Sequence, residues 1–170
     1  AELVRHWLAA FGPGTLADLK WWTGWTLTAA RAALADVGAV EVGLAEGTGH
    51  LLPDDLEPVV AEQHWVALLP ALDPTPMGWQ QREWYLGAHK AAVFDRTGNV
   101  GPTVWCDGRI VGGWAQRPDG DIAVRLVEDV GSDARREIDT AAANLGSWLG
   151  EVRLSARGRG RTPLESELSS

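Results

Sequence analysis

Apolar residues recur at helical spacing from the start of the chain. Leu3, Val4, Trp7, Leu8 and Phe11 share one face, and Gly12-Pro13-Gly14 stops the helix. Thr15 is a suitable N-cap for a second helix carrying Leu16, Leu19, Trp22 and Trp21. Asp18 falls in its first turn, where the helix dipole favours an acid, and Gly24 breaks it. Thr26 or Thr28 caps a third helix from Ala29 to Val37, with Gly38 as the left-handed residue after its end. The period then drops to two. Val40, Val42 and Leu44 alternate, residues 45–49 turn the chain, and His50-Leu51-Leu52 returns. Three helices followed by a two-stranded hairpin is the winged-helix order, here over residues 1–57.

Residues 53–58 read as a connector, after which the pattern is that of strands. His64 to Leu69 is apolar enough for a buried strand. Thr103 to Cys106, Arg109 to Gln116 and Ile122 to Val127 follow, joined by Asp107-Gly108 and Pro118-Asp119-Gly120. This is an antiparallel meander. Gly112-Gly113 inside a strand indicates a bulge or a close backbone approach, beneath Trp105 or Trp114. Ser132 caps a helix with Ile138, Ala141, Ala142, Leu145 and Leu149 on one face. Val152, Leu154 and Ala156 alternate as a last strand, and the Gly-, Ser- and charge-rich remainder reads as a flexible tail. The expected fold class is α+β. A winged helix precedes an antiparallel, β-rich domain over 58–157, with a helix near the C-terminus and a tail over 158–170.

Composition narrows the function classes. With 170 residues and 45% hydrophobic positions the chain can bury a core. No run approaches the roughly 20 apolar residues of a membrane span, so no membrane partner is expected. The single cysteine, Cys106, forms no internal disulfide and suits a cytoplasmic protein. Residue 1 is Ala rather than Met, so the chain is expected to be part of a longer protein. Fifteen Lys+Arg against 23 Asp+Glu leave −8, which opposes a free-standing nucleic-acid binder. Charge is uneven, however: residues 153–170 carry +2 and residues 1–152 carry −10. Any phosphate contact must therefore be local. Lys20 and Arg31 on the helical segment, and Arg153, Arg157 and Arg159 near the end, are the candidate DNA-binding residues. Arg153 and Arg157 fall on one face if the last strand forms. Asp36 and the many Ala residues of the third helix leave it little base-edge chemistry. Ten Trp residues imply several semi-buried aromatic clusters. Trp21, Trp22 and Trp25 are expected in the core rather than as a stacking platform.

Catalytic chemistry finds little support. His6, His50, His64 and His89 lack ligand spacing, and there is no CxxC, HExxH, P-loop or dinucleotide-binding signature. No metal and no cofactor are expected. Asp73, Arg82, Asp95, Arg96 and Arg109 are the available acids and bases. Asp73 before Pro74 and Asp107 before Gly108 are turn residues, and Cys106 beside Trp105 reads as a buried, inert thiol.

Two blocks of the chain resemble a known family. The first is Phe11-Gly12-Pro13-Gly14-Thr15 with Asp18-Leu19-Lys20-Trp21-Trp22-Thr23-Gly24-Trp25. The second contains Leu69-Pro70-Ala71-Leu72-Asp73-Pro74, Met77-Gly78-Trp79, Arg82 and Trp84-Tyr85-Leu86. It continues with Phe94-Asp95-Arg96, Gly98-Asn99, Gly101 to Trp105, Asp107-Gly108-Arg109 and Gly112-Gly113-Trp114. These resemble the last winged helix and the C-terminal β-rich domain of the YcaQ/AlkZ group, bacterial winged-helix DNA-binding proteins that include DNA glycosylases. The similarity runs to about Leu154. It implies tandem winged helices closed by a barrel-like domain and, for the glycosylase members, excision of alkylated or crosslinked purines. The family's catalytic Gln-x-Gln motif has no counterpart here. Gln80-Gln81 is adjacent rather than spaced, and Gln63 and Gln116 are isolated, so no catalytic residue is expected. The expected function is the DNA-binding half of a repair glycosylase. It would bind double-stranded DNA weakly on its own and partner the N-terminal half of its parent. The alternative is a non-enzymatic winged-helix regulatory or protein-interaction module.

Overall fold

The computed structural model describes residues 1–45, 47–59, 64–155 and 160–170. The chain forms two compact units, Ala1–Val60 with Pro74–Gln81, and Ala61–Asp73 with Arg82–Ser170.

The first unit holds α1 (Glu2–Phe11), α2 (Leu16–Thr23), α3 (Leu27–Asp36) and the hairpin β1 (Val40–Leu44) and β2 (Gly47–Leu51). Its core is Val4, Trp7, Leu8, Leu19, Ala30, Ala33, Leu34, Val37 and Leu52. Leu3, expected on the same face as Val4 and Trp7, is exposed. α2 starts with a capping box between Thr15 and Asp18, and Gly24 ends it in the left-handed conformation. α3 begins two residues earlier than expected because Thr26, rather than Thr28, is the cap. Its hydroxyl accepts the Ala29 N–H at 3.2 Å. Gly38 has φ +65°, as a residue after a helix end requires. The hairpin runs antiparallel from Val40↔Leu51 to Leu44↔Gly47. His50 ties β2 to Gly14 with backbone hydrogen bonds of 2.8 and 3.2 Å.

Pro74–Gln81, expected in the second domain, packs in this first unit. The Trp79 indole donates to the Phe11 carbonyl at 2.9 Å, and its ring meets that of Phe11 edge-on at 5.3 Å. Oδ1 of Asp18 accepts the N–H groups of Gln80 and Gln81 at 2.7 and 3.2 Å. The physical reason is that the capping-box carboxylate of Asp18 uses Oδ2 on Thr15 and retains Oδ1 lone pairs that helix α2 does not use.

The second unit is built on an open sheet, β3 (Val66–Leu69), β4 (Thr103–Cys106), β5 (Arg109–Gln116) and β6 (Ile122–Leu126), antiparallel and in that order. It does not close into a barrel. Helices cover it instead, which corrects the barrel-like expectation. α6 (Gly131–Leu149) packs on β3 and β6. The short α4 (Glu83–Leu86) and α7 (Pro163–Leu168) pack on β5, and α5 (Lys90–Val93) packs on α7. Coverage on both faces explains why β4, and β5 from Ile110 to Ala115, are buried at every position. β5 bulges at Val111, where Val104↔Gly112 is followed by Trp105↔Ile110. The two glycines there accept close neighbours: Gly112 lies against the Arg125 carbonyl and Gly113 beneath Leu164 of α7, rather than beneath a Trp. Trp105 stacks on Tyr85 at 5.4 Å, and Trp114 donates to the Leu69 carbonyl at 2.9 Å.

Three expectations near the C-terminus are corrected. α6 begins at Gly131 with Val130 at the cap position, so Ser132 falls inside the helix, its hydroxyl on Asp133, and no side chain caps it. Residues 152–155 join no strand. The Gln116 amide occupies the pairing position instead, donating to the Val152 carbonyl at 3.0 Å and accepting the Leu154 N–H at 2.8 Å. The tail is not featureless: Thr162 and Glu165 form a capping box for α7, and Leu164 is buried.

Candidate nucleic-acid interface

The candidate surface of the first unit follows from how α2 hands over to α3. The Thr23 hydroxyl donates to the Leu19 carbonyl at 2.6 Å and accepts the Trp25 N–H at 3.2 Å. Gly24 reverses the chain, and Thr26 caps α3 within two residues. This short turn fixes which face of α3 packs. Ala30, Ala33 and Leu34 point inward, leaving Thr28, Arg31, Ala32, Ala35 and Asp36 outside. Lys20 is exposed on the outer side of α2, and Arg31 is the single cation of α3. Neither forms an ion pair among the described residues. The hairpin contributes no Lys or Arg between Val40 and Leu51, so its offer to a phosphate is limited to backbone N–H groups and the side chains of Thr48 and His50.

Trp21 and Trp22 depart from their expected core positions, each being 39% exposed. Trp22 still packs its ring against Trp7 and Phe11, at 6.5 and 6.4 Å, and Trp25 lies half-buried on the core. An aromatic that rests one face on the core and shows the other to solvent satisfies helical periodicity without being interior.

The second unit uses its cations differently. Arg153 donates to the carbonyls of Gly150 at 2.8 Å, Asp119 at 3.1 Å, Val152 at 3.2 Å and Pro118 at 3.3 Å. It therefore holds the β5–β6 turn against the end of α6. Arg157 and Arg159 lie outside the described residues. Arg109 binds Glu128 at 2.7 and 3.1 Å, and His89 meets the same carboxylate at 2.8 Å. The His89 hydrogen bond, followed by the guanidinium, holds Glu128 below the usual carboxylate range. Asp95 is likewise held below the usual carboxylate range, by the Asn99 backbone N–H and by the Asn99 and Thr97 side chains, as expected of a loop-shaping carboxylate. Asp95 and Arg109 are thus committed to separate structural tasks. The Arg82 guanidinium sits over the Phe94 ring at 5.0 Å. Sequence reasoning missed the Glu128 cluster, because His89, Arg109 and Glu128 carry no common spacing.

A family model described as DNA glycosylase AlkZ-like matches residues 1–148. The chain belongs to the AlkZ-like DNA glycosylase family. Among solved structures, this AlkZ-like chain is similar to Streptomyces sahachiroi DNA glycosylase AlkZ, with a TM-score of 0.76 and 25% identity. The match covers 92% of this chain and 44% of that one, so the AlkZ-like chain spans less than half the length of the structure it resembles. No curated protein of similar sequence was found. Among the described residues, no helix is long and apolar enough to cross a membrane.

Proposed function

We propose that this chain is the DNA-positioning, C-terminal half of a cytoplasmic DNA repair glycosylase. The three helices and hairpin act as a winged helix, and an N-terminal half supplies the chemistry on alkylated or crosslinked purines. The observation that carries this reading is the match of nearly the whole chain to less than half of a DNA glycosylase. The lack of a Gln-x-Gln motif supports a non-catalytic role for the chain itself. Lys20 and Arg31 are the phosphate contacts of the helical unit. They position a duplex without reading it, since α3 presents one cation, one Thr hydroxyl, Ala methyls and Asp36. Arg153 serves the fold, and Arg157 and Arg159 add charge near the C-terminus.

Two assays on the purified chain test this. Fluorescence anisotropy with a labelled duplex should give sequence-independent binding no tighter than about 10⁻⁵ M at physiological salt. DNA containing 7-methylguanine should release no base above a heat-killed control. Base release would overturn the non-catalytic assignment. Absence of DNA binding even at low salt would favour a protein-interaction module, which the −8 net charge would suit.

A further inference from the structure

We propose that His64, Cys106 and Asp107 form a binding site for a thiophilic divalent cation of the zinc type, independent of any role in DNA binding. The three residues are distant in sequence, and the sheet brings them to one end of β4. Asp107 is placed by the β4–β5 turn, where it and Gly108 both have positive φ, +47° and +80°. The start of the sheet then fixes its carboxylate. The Asp107 N–H donates to the Trp65 carbonyl at 3.1 Å, and Oδ1 accepts the Trp65 N–H at 3.0 Å. Oδ2 is left facing Nδ1 of His64 at 2.6 Å and Sγ of Cys106 at 4.0 Å. The three ligand atoms all lie within 4.8 Å of one another.

That spread suits tetrahedral coordination, whose metal bonds of about 2.0–2.3 Å separate neighbouring ligand atoms by about 3.3–3.7 Å. Two of the three separations, 2.6 and 4.0 Å, bracket this range and the third lies within 4.8 Å, so side-chain rotations bring the set to it. The donor set of one thiolate, one imidazole and one carboxylate favours zinc-type ions over magnesium or calcium. A fourth position remains for water. Glu137 on α6 supplies the outer support, with Oε2 at 3.9 Å from Nε2 of His64. At that distance it makes no hydrogen bond, but a small closure on metal binding would let it accept the Nε2 N–H while Nδ1 faces the metal. Cys106 lies in the buried strand β4 and enters the site as a free thiol. A cation replaces the thiol proton: the S–H bond breaks, a metal–sulfur bond forms, and H⁺ leaves to solvent. The carboxylates of Asp107 and Glu137 around His64 make the site attractive to a dication.

The reduced full chain is titrated with cobalt(II) and followed by absorption. Tetrahedral cobalt with one thiolate gives intense visible d–d bands and a near-ultraviolet sulfur-to-metal charge-transfer band, and added zinc should bleach both. Cys106→Ser should remove the charge-transfer band. Glu137→Gln should weaken binding by about tenfold while keeping the spectrum. Far-UV circular dichroism of each metal-free variant confirms that it is folded. A wild-type spectrum indistinguishable from that of folded Cys106→Ser would overturn the proposal and leave the cluster as a hydrogen-bonded staple between β3 and the β4–β5 turn.

Discussion

In the three-helix unit, Lys20 and Arg31 stand on outward helix faces. In the sheet unit, Arg109 meets Glu128, Arg125 meets Glu167, Arg136 meets Asp133 and Arg153 meets four backbone carbonyls. The denser cationic run belongs to the sheet unit, and Arg153 within it is already occupied. A guanidinium with its donors on carbonyls must break those bonds to reach a phosphate, whereas a solvated ammonium exchanges only water and counterions. Local charge density in a sequence therefore measures supply of cations, and the neighbours decide how many remain for a ligand.

The sharpest contrast is between two nearby positions on one helix. Asp18 is buried and holds the N–H groups of Thr15, Gln80 and Gln81, while Lys20 is exposed two residues later. Asp18→Ala should cost about 3 kcal/mol by stranding these donors, and Lys20→Ala less than about 0.5 kcal/mol. Urea midpoints of both variants check this, and equal losses would break the contrast. In the sheet unit, Gly112→Ala would drive a Cβ into the Arg125 carbonyl oxygen and should cost about 2 kcal/mol. Gly113, by comparison, faces the movable Leu164 side chain as well as the Pro102 carbonyl, so Gly113→Ala should cost less. Thermal midpoints of the two variants rank them.

Arg153→Ser should lower stability by about 1 kcal/mol while leaving duplex affinity almost unchanged. A fall in affinity with no change in stability would return Arg153 to the phosphate contacts. The pH dependence should be milder. Asp95, Asp107 and Glu128 have folded values below their ordinary ones, so their contribution is present above about pH 4 and is lost as pH falls through the depressed values. Glu165 is raised by burial, so its contribution has the opposite sign and fades as pH rises through its folded value. Three groups against one predict net loss on acidification. The urea midpoint should fall between neutral pH and about pH 3.5, and Asp95→Asn should blunt that fall.

Local chemistry made much of the helical unit legible: Thr15, Gly24 and Gly38 stand where a capping residue and two left-handed residues are needed. The Asp107-Gly108 and Gly120 turns were legible for the same reason. The partners of Asp18 were not, because Gln80 and Gln81 lie 62 and 63 residues away and nothing in their own spacing announces them. The last strand failed for a related reason. Val152 and Leu154 alternate correctly, but the Gln116 side chain takes the backbone groups that a neighbouring strand would have used. Closure was likewise invisible, since strands buried by helices on both faces and strands buried in a barrel share the same apolar pattern. His64, Cys106 and Asp107 have no motif spacing and become a candidate site only through the register of the sheet.

The central claim, that the helical unit holds DNA through Lys20 and Arg31, is tested most directly by anisotropy with a labelled duplex across a salt series. Wild type is compared with Lys20→Ser/Arg31→Ser. Two phosphate contacts predict a slope of log affinity against log salt near −2 for wild type from these residues alone, becoming more negative by roughly 0.9 for each further contact. The double variant should be flatter by about 2 and bind far more weakly. An unchanged slope in the double variant, or submicromolar wild-type binding that survives high salt, would contradict the account.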